Sequence, residues 1–239
     1  MKVRIAHISD SHSDYKMFKK IKNSTEQIDI VIATGDILDN HGRINTDYGG
    51  WSSSCGGNYR IDKRTEIFYQ RTWLRRKSPS IVKSLDGKPF VYVLGNHDFV
   101  DPAPFLISAG HPKDKIFHIT GATPFANVNG IRFSGFRQVP YMAGEWEEEC
   151  YDFDYHVRTA FDNDPQILLT HAPPGGILDG GGVYGIPRLT SELMYNPGRV
   201  AAHFFGHVHE DGGKMIQRDG ISYFNGSRSC LVHQIEIPD

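Results

Sequence analysis

Residues 3–12, VRIAHISDSH, run apolar through Ile8 and then turn abruptly to Asp10-Ser11-His12. An apolar run that ends in polar residues is the pattern of a strand buried on both faces of a parallel sheet. The pattern recurs at Ile28–Ala33, Phe90–Leu94, Ile167–Thr170 and Ala202–Phe205. Each run is followed within a few residues by Asp, Asn or His: Gly35-Asp36, Gly95-Asn96-His97-Asp98, His171 and Gly206-His207-Val208-His209.

Working outward, Lys16–Lys22 is amphipathic, with Met17, Phe18 and Ile21 on one helical face. Thr65–Leu85 has helical spacing, with a break expected at Ser78-Pro79. Pro102, Pro104 and Pro112 predict an irregular stretch, and Ile116–Ile119, Phe125–Val128 and Ile131–Gly135 predict short strands. Asn129-Gly130 and Asp219-Gly220 signal tight hairpins, the second between Met215–Gln217 and Ile221–Phe224. Glu145–Glu149 reads as a solvated face or helix start, Gly175–Gly185 as a loop, and Leu231–Ile237 as a closing strand. Strands alternate with helices early and hairpins come late. The expected class is α/β, a mixed β-sheet sandwich flanked by helices. We expect one domain over residues 1–239, with a long loop inserted at about 40–62. That loop is glycine- and serine-rich, and long loops in compact domains often serve as substrate lids.

Composition excludes several classes. With 26 Lys+Arg against 28 Asp+Glu, the chain is no basic nucleic-acid coat and no polybasic membrane anchor. No run of about 18 apolar residues predicts a membrane span. The first strand is interrupted by His7, Asp10 and His12 and does not read as a signal peptide. Cys55, Cys150 and Cys230 form no disulfide framework and fit a reducing cytoplasm.

The His, Asp and Asn residues all fall at the carboxyl ends of expected strands, the edge where open α/β sheets bind ligands. Imidazole, carboxylate and amide oxygen suit divalent ions such as Mn, Fe or Zn. An Asp has two oxygens and can bridge two ions, and such a pair polarises a phosphoryl oxygen and acidifies water. Gly35, Gly95 and Gly206 permit the tight turns this needs. Each short motif alone is weak, but five in order, each after an apolar run, form one constellation.

The chain resembles the calcineurin-like metallophosphoesterase superfamily. DSH, GDILD, GNHD, TH and GHVH, spanning positions 10 to 209, are similar to that family's five blocks in order. THAPPGG (170–176), FGHVHEDGGK (205–214) and FNGS (224–227) also resemble a small phosphodiesterase branch typified by the brain metallophosphodiesterases. The resemblance implies a four-layer fold with its metal site at the carboxyl ends of the strands. It implies that Asp10, His12 and His209 hold a first ion and that Asp36 bridges. Asn96, His171 and His207 would complete the second ion. His97 would serve the phosphate or its leaving oxygen as a hydrogen-bond or proton donor. Asp98 would hold His97 in orientation, and Asp39 would support the metal shell from behind.

The implied activity is hydrolysis of phosphate esters by in-line attack of a metal-bridging hydroxide. The favoured substrate is a small, nucleotide-like phosphodiester; a phosphomonoesterase and then a nuclease are the alternatives. A non-catalytic scaffold is disfavoured, because every matching position is a competent ligand. Two divalent ions are implied, Mn favoured over Fe, Zn or Ni. The charge balance argues against long duplex nucleic acid as partner and against a membrane. Purple acid phosphatases carry Tyr where Asp39 stands, and protein Ser/Thr phosphatases carry Arg where Asn40 stands, so the chain departs from both.

Among the remaining residues, His7 and His203 read as core histidines. His41 could touch substrate. Arg71, Arg75, Arg76 and Lys77 read as a solvated helix face. Arg43, Arg60, Lys63 and Arg64 are better placed to meet an anion, and Arg137 could reach the site. Trp51 or Tyr59 could stack on a base.

Overall fold

The computed structural model describes residues 1–38, 40, 62–142, 146–182, 184–196 and 198–238. Of the loop expected at about 40–62, residues 41–61, with His41, Arg43, Trp51, Cys55, Tyr59 and Arg60, lie outside the described residues, as does Asp39.

Two sheets pack face to face. The first comprises β1 (Lys2–Ser9), β2 (Ile30–Thr34), β3 (Phe90–Val93) and β4 (Ile116–His118), all parallel, with β13 (Ser229–Glu236) antiparallel beside β1. The second takes the order β11 (Met215–Arg218), β12 (Ile221–Asn225), β10 (Ala202–Phe205), β9 (Ile167–Thr170), β6 (Ile131–Phe136), β5 (Phe125–Val128). Its four inner strands are parallel and each edge is an antiparallel hairpin. Both hairpins turn at the expected dipeptides. Asn129 and Gly130 have φ of 54° and 82°, and Asp219 and Gly220 have 52° and 79°, the left-handed pair a two-residue turn demands.

The apolar runs are explained by burial on both sides. Ile5, Ile30, Ile32, Val91 and Val93 meet Phe133, Ile167, Leu169, Phe204 and Phe224 between the sheets. The alternate residues Ala6, Ile8, Val31 and Ala33 face α1 (Lys16–Lys22) and α2 (Lys63–Leu85) through Phe18, Ile21, Leu74 and Ile81. On the far side, Leu168, Phe205 and Tyr223 pack on Val157, Phe161, Leu189 and Leu193 of α4 (Asp154–Asp162) and α5 (Pro187–Tyr195). The result is a helix–sheet–sheet–helix sandwich. Each fully buried Val, Leu or Ile contributes about 1.5–3 kcal/mol to it.

Two local expectations fail and a third is narrowed. Helix α2 runs unbroken through Pro79. Proline removes the bond to the Arg75 carbonyl, but Arg75 and Pro79 are both exposed, so water can satisfy that oxygen. Leu74, Ile81 and Leu85 anchor the helix on both sides of the proline. The proline-rich stretch holds a short helix, α3 (Ala103–Ser108), because Pro102 and Pro104 sit at its start, where no amide donor is needed. Of the acidic stretch, read as a solvated face or a helix start, Glu149–Cys150 (β8) pairs with Val139–Pro140 (β7), which removes the helix alternative there.

Candidate metal centre

The parallel strands end at one place. Asp10 follows β1, Asp36 follows β2, Asn96 follows β3, His171 follows β9 and His207 follows β10. The chain must turn sharply at each end. Asp10, His12, Asp36 and His207 all adopt positive φ, at 50°, 41°, 50° and 69°. Such backbone costs about 1–3 kcal/mol per residue and collects at functional sites. Gly95 lies so close to Asp36 that a Cβ there would strike Oδ1, and a Cβ on Gly206 would strike Ser9 Oγ and Asp10 Oδ2.

Asp10 is buried and fully engaged. Its Oδ2 accepts from Ser9 Oγ at 2.7 Å, the His207 amide at 3.0 Å and Ser227 Oγ at 3.1 Å. Its Oδ1 lies 3.1 Å from His209 Nε2, which lies 3.4 Å from His12 Nε2. Asp36 Oδ1 accepts the His97 amide at 2.9 Å and lies 3.4 Å from His171 Nε2. Its Oδ2 lies 3.9 Å from His12 Nε2 and 3.8 Å from His97 Nε2. Among the described residues, three groups bring ligand atoms within 4.8 Å of one another: Asp10/His12/His209, Asp10/Asp36/His171 and His12/Asp36/His97. The first two share Asp10, and Asp36 belongs to the second and third.

His171 tests whether these residues suit a cation. Its Nδ1 is 2.7 Å from the Thr34 carbonyl oxygen, which can only accept, so Nδ1 carries the proton. In the neutral ring Nε2 then presents a lone pair, yet it faces Asn96 Oδ1 at 2.9 Å and Asp36 Oδ1 at 3.4 Å. Three acceptors converge, which is repulsive unless a positive charge stands among them. A proton meets the need in part. Burial would lower His171, but the Asp36 carboxylate outweighs it and raises the ring to about 9. A divalent ion meets it more fully, and a carbonyl-anchored imidazole is the usual form of a metal-ligating histidine. The donor set therefore fits. Burial alone would raise both carboxylates. The hydrogen bond from His209, with His171 and His12 nearby, holds Asp10 below the usual range, and His171, His97 and His12 hold Asp36 well below it. His207 is pushed down to about 4 by burial and by His171, so it is neutral and ligand-ready.

The expected ligands Asp10, His12, Asp36, Asn96, His171 and His209 thus meet. His207 stands beside them, its ring 5.0 Å from that of His171, but it joins none of the three groups. His97 lies among the ligands through Asp36 and His12. The Asp98 expectation needs correcting. Its carboxylate accepts the amides of Gly95 at 2.8 Å, Leu38 at 2.8 Å and Ile37 at 3.3 Å. It therefore ties the GNHD turn to the GDILD turn. Burial and the Asp36 charge push it up to about 7. The side chain meeting His97 Nδ1 is Asn40, through Oδ1. Arg137 donates to the carbonyls of Gly95 and Asp98 at 2.6 and 2.9 Å, clamping this turn. Lys63 pairs with Glu147 at 2.8 Å.

Sequence reasoning also missed Trp146. Its ring lies 4.1 Å from His97, and the Glu147 amide donates to the Asn96 carbonyl at 3.1 Å. An indole set among glutamates was the available signal. His7 and His203 are core residues as expected, bonded at 2.8 Å to Thr34 Oγ1 and Thr170 Oγ1.

The calcineurin-like phosphoesterase family profile matches residues 3–211, so the chain belongs to that family. A curated relative, a UPF0046 protein of Caenorhabditis elegans, is 29% identical over 136 residues. That match covers 55% of this chain and 42% of the relative, so it spans less than half the relative's length. One solved crystal structure covers 99% of this chain and 100% of its own at 14% identity with a TM-score of 0.66, a likeness of fold. A 5′-nucleotidase precursor from Thermus thermophilus superposes with a TM-score of 0.41 at 14% identity over 87% of this chain and 42% of its own.

Proposed function

We propose that this phosphoesterase is a dinuclear-metal phosphodiesterase acting on a small, nucleotide-like diester. The observation that carries the reading is the convergence of Asp10, His12, Asp36, Asn96, His171 and His209 at the strand ends, with His97 beside them. Asp10, His12 and His209 would hold one ion. Asp36, Asn96 and His171 would hold the other, with His207 as its further ligand. Bound ions of this kind polarise phosphoryl oxygen and acidify water. Nitrogen and oxygen donors without thiolate suit Mn, Fe, Zn or Ni, and of these we propose Mn.

The chain's own residues do the rest. Asn40 holds His97 through Nδ1, which leaves Nε2 toward the reacting groups. An alkoxide leaving group needs a proton, and His97 supplies it. Asp98 and Arg137 keep the GNHD turn in place through its backbone. Diester preference is supported by the tail pattern THAPPGG, FGHVHEDGGK and FNGS. Residues 1–239 work as one domain in this reading, and among the described residues Cys150 and Cys230 are free thiols, which accords with a cytoplasmic setting. Among the described residues no helix is long and apolar enough to cross a membrane.

The test is turnover by metal-stripped protein refilled with Mn, Zn, Fe, Ni or Mg, comparing bis-p-nitrophenyl phosphate with p-nitrophenyl phosphate. Metal-dependent cleavage that favours the diester supports the proposal. Preference for the monoester replaces it with a phosphomonoesterase. Metal-independent turnover removes the metal reading.

A further inference from the structure

A cavity of about 380 Å³ that the chemistry above does not use opens among Pro140–Tyr141, the 150–154 segment and the start of α5. Its size is within the range of small-molecule sites. Tyr141, Tyr151 and Phe153 line it, with Asp152, Asp154 and Arg188 as its charged groups. Two chain segments link its lining to the centre. In one, Trp146 lies against His97 and its amide donates to Glu149 Oε1 at 3.4 Å, and the next residues, Cys150 and Tyr151, line the cavity. In the other, Tyr184 stands edge-on to His207, ring centroids 6.1 Å apart, and the next residue, Gly185, lines the cavity.

The lining has a definite chemistry. Tyr141 and Tyr151 are stacked, with centroids 4.4 Å apart and planes 20° apart. Tyr151 is 80% exposed against 45% for Tyr141, so the stack presents an open ring face. Arg188 is already committed to Asp154 at 2.6 Å and Glu192 at 2.7 Å, so its charge is spent within the protein. Asp152 adds a carboxylate that accepts the Asp154 amide. A phosphate is therefore unwelcome here. A flat, neutral ring with N–H donors is welcome: it extends the stack and offers its donors to carboxylate oxygens.

We infer that this cavity is the subsite for the base of the substrate, with the Tyr141–Tyr151 stack as its platform and the phosphate held at the metal centre. The inference rests on the phosphoesterase reading for the phosphate, but the ring subsite itself needs no metal. Parallel stacking favours a planar ring over an ammonium group, which prefers to be enclosed by several ring faces.

The probe is adenosine, which has the ring and lacks the phosphate, titrated calorimetrically into the full chain and into Tyr151→Ala. Base stacking is worth enough that removing the ring should weaken adenosine binding roughly fivefold or more. Tyr151→Trp should retain or tighten it. In turnover, the preference of kcat/KM for a nucleoside-bearing diester over a ringless one should fall by a similar factor in Tyr151→Ala, carried by KM. If diesters are cleaved but adenosine does not bind, or binds equally to Tyr151→Ala, the inference is overturned and the phosphodiesterase reading stands. If adenosine binds through Tyr151 but no phosphate ester is cleaved, the subsite stands and the phosphodiesterase reading falls. Binding of choline in preference to adenosine would also overturn the assignment to a base.

Discussion

Two sets of histidines share the interior of this protein, and their partners separate them. His12, His171 and His209 stand at the strand ends against the carboxylates of Asp10 and Asp36. His7, His203 and His233 lie in the strands themselves, among rings and hydroxyls. His7 is edge-on to Phe204, His203 meets Thr170, and His233 lies 4.2 Å from Phe224. His171 and His203 are equally buried. Yet His171 is raised to about 9, whereas His203 and His233 are lowered to about 3 and 4. A buried imidazole has no fixed character. Beside a carboxylate it is a cation or a metal ligand; beside a hydroxyl it is a neutral piece of core.

The sharpest way to break this contrast is Asp36→Asn. It removes the charge that His171, His12 and His97 all face, so metal content and turnover should both fall to background. Metal analysis together with a diester assay checks it, and near-normal activity would refute the site. His97→Ala should keep both metals and lose roughly 10²–10⁴-fold in diester turnover, the usual share of a proton donor. If metal is lost instead, His97 is a ligand, as its place near Asp36 and His12 also permits.

Asn40→Ala should cost about 10–100-fold in kcat with metal content retained, in line with other groups that orient a reacting side chain. An equal loss in an Asp98 variant lacking any backbone disturbance would restore the role first given to Asp98. The smallest effect concerns the second set of histidines. The folded His203 sits below its unfolded value of about 6.5, so the unfolded chain takes up the proton first. Its stabilising contribution is whole above about pH 6.5 and is lost as pH falls toward 3. Linkage puts this at about 2 kcal/mol between pH 7 and pH 5. His203→Gln should remove that component from the pH dependence of urea unfolding. An unchanged pH dependence would mean that His203 is not held neutral.

Much of the fold and centre could be read without coordinates, for particular reasons. Strands buried on both faces must be apolar throughout, and the ligands are the first polar residues after them. Asn129-Gly130 and Asp219-Gly220 each satisfy a left-handed turn from within two residues. These signals are local. Pro79 misled because the effect of a proline depends on whether the orphaned carbonyl reaches water, which only the packing of α2 determines. Trp146 was passed over because its partner, His97, lies far from it in the chain.

The residue types at the strand ends, the apolar runs of the buried strands and the two hairpin turns were thus settled by the sequence itself, through short-range sterics and hydrophobic periodicity; the order of the strands was not. The partnerships within the centre were decided only by tertiary structure. His12 and His209 are 197 residues apart, and His97 and Asn40 are 57 apart. No local pattern specifies whether His97 is met by Asn40 or by its neighbour Asp98. That choice follows from the backbone amides of Ile37, Leu38 and Gly95, which need acceptors once buried and claim the Asp98 carboxylate. The side-chain amide of Asn40 is left to hold the imidazole.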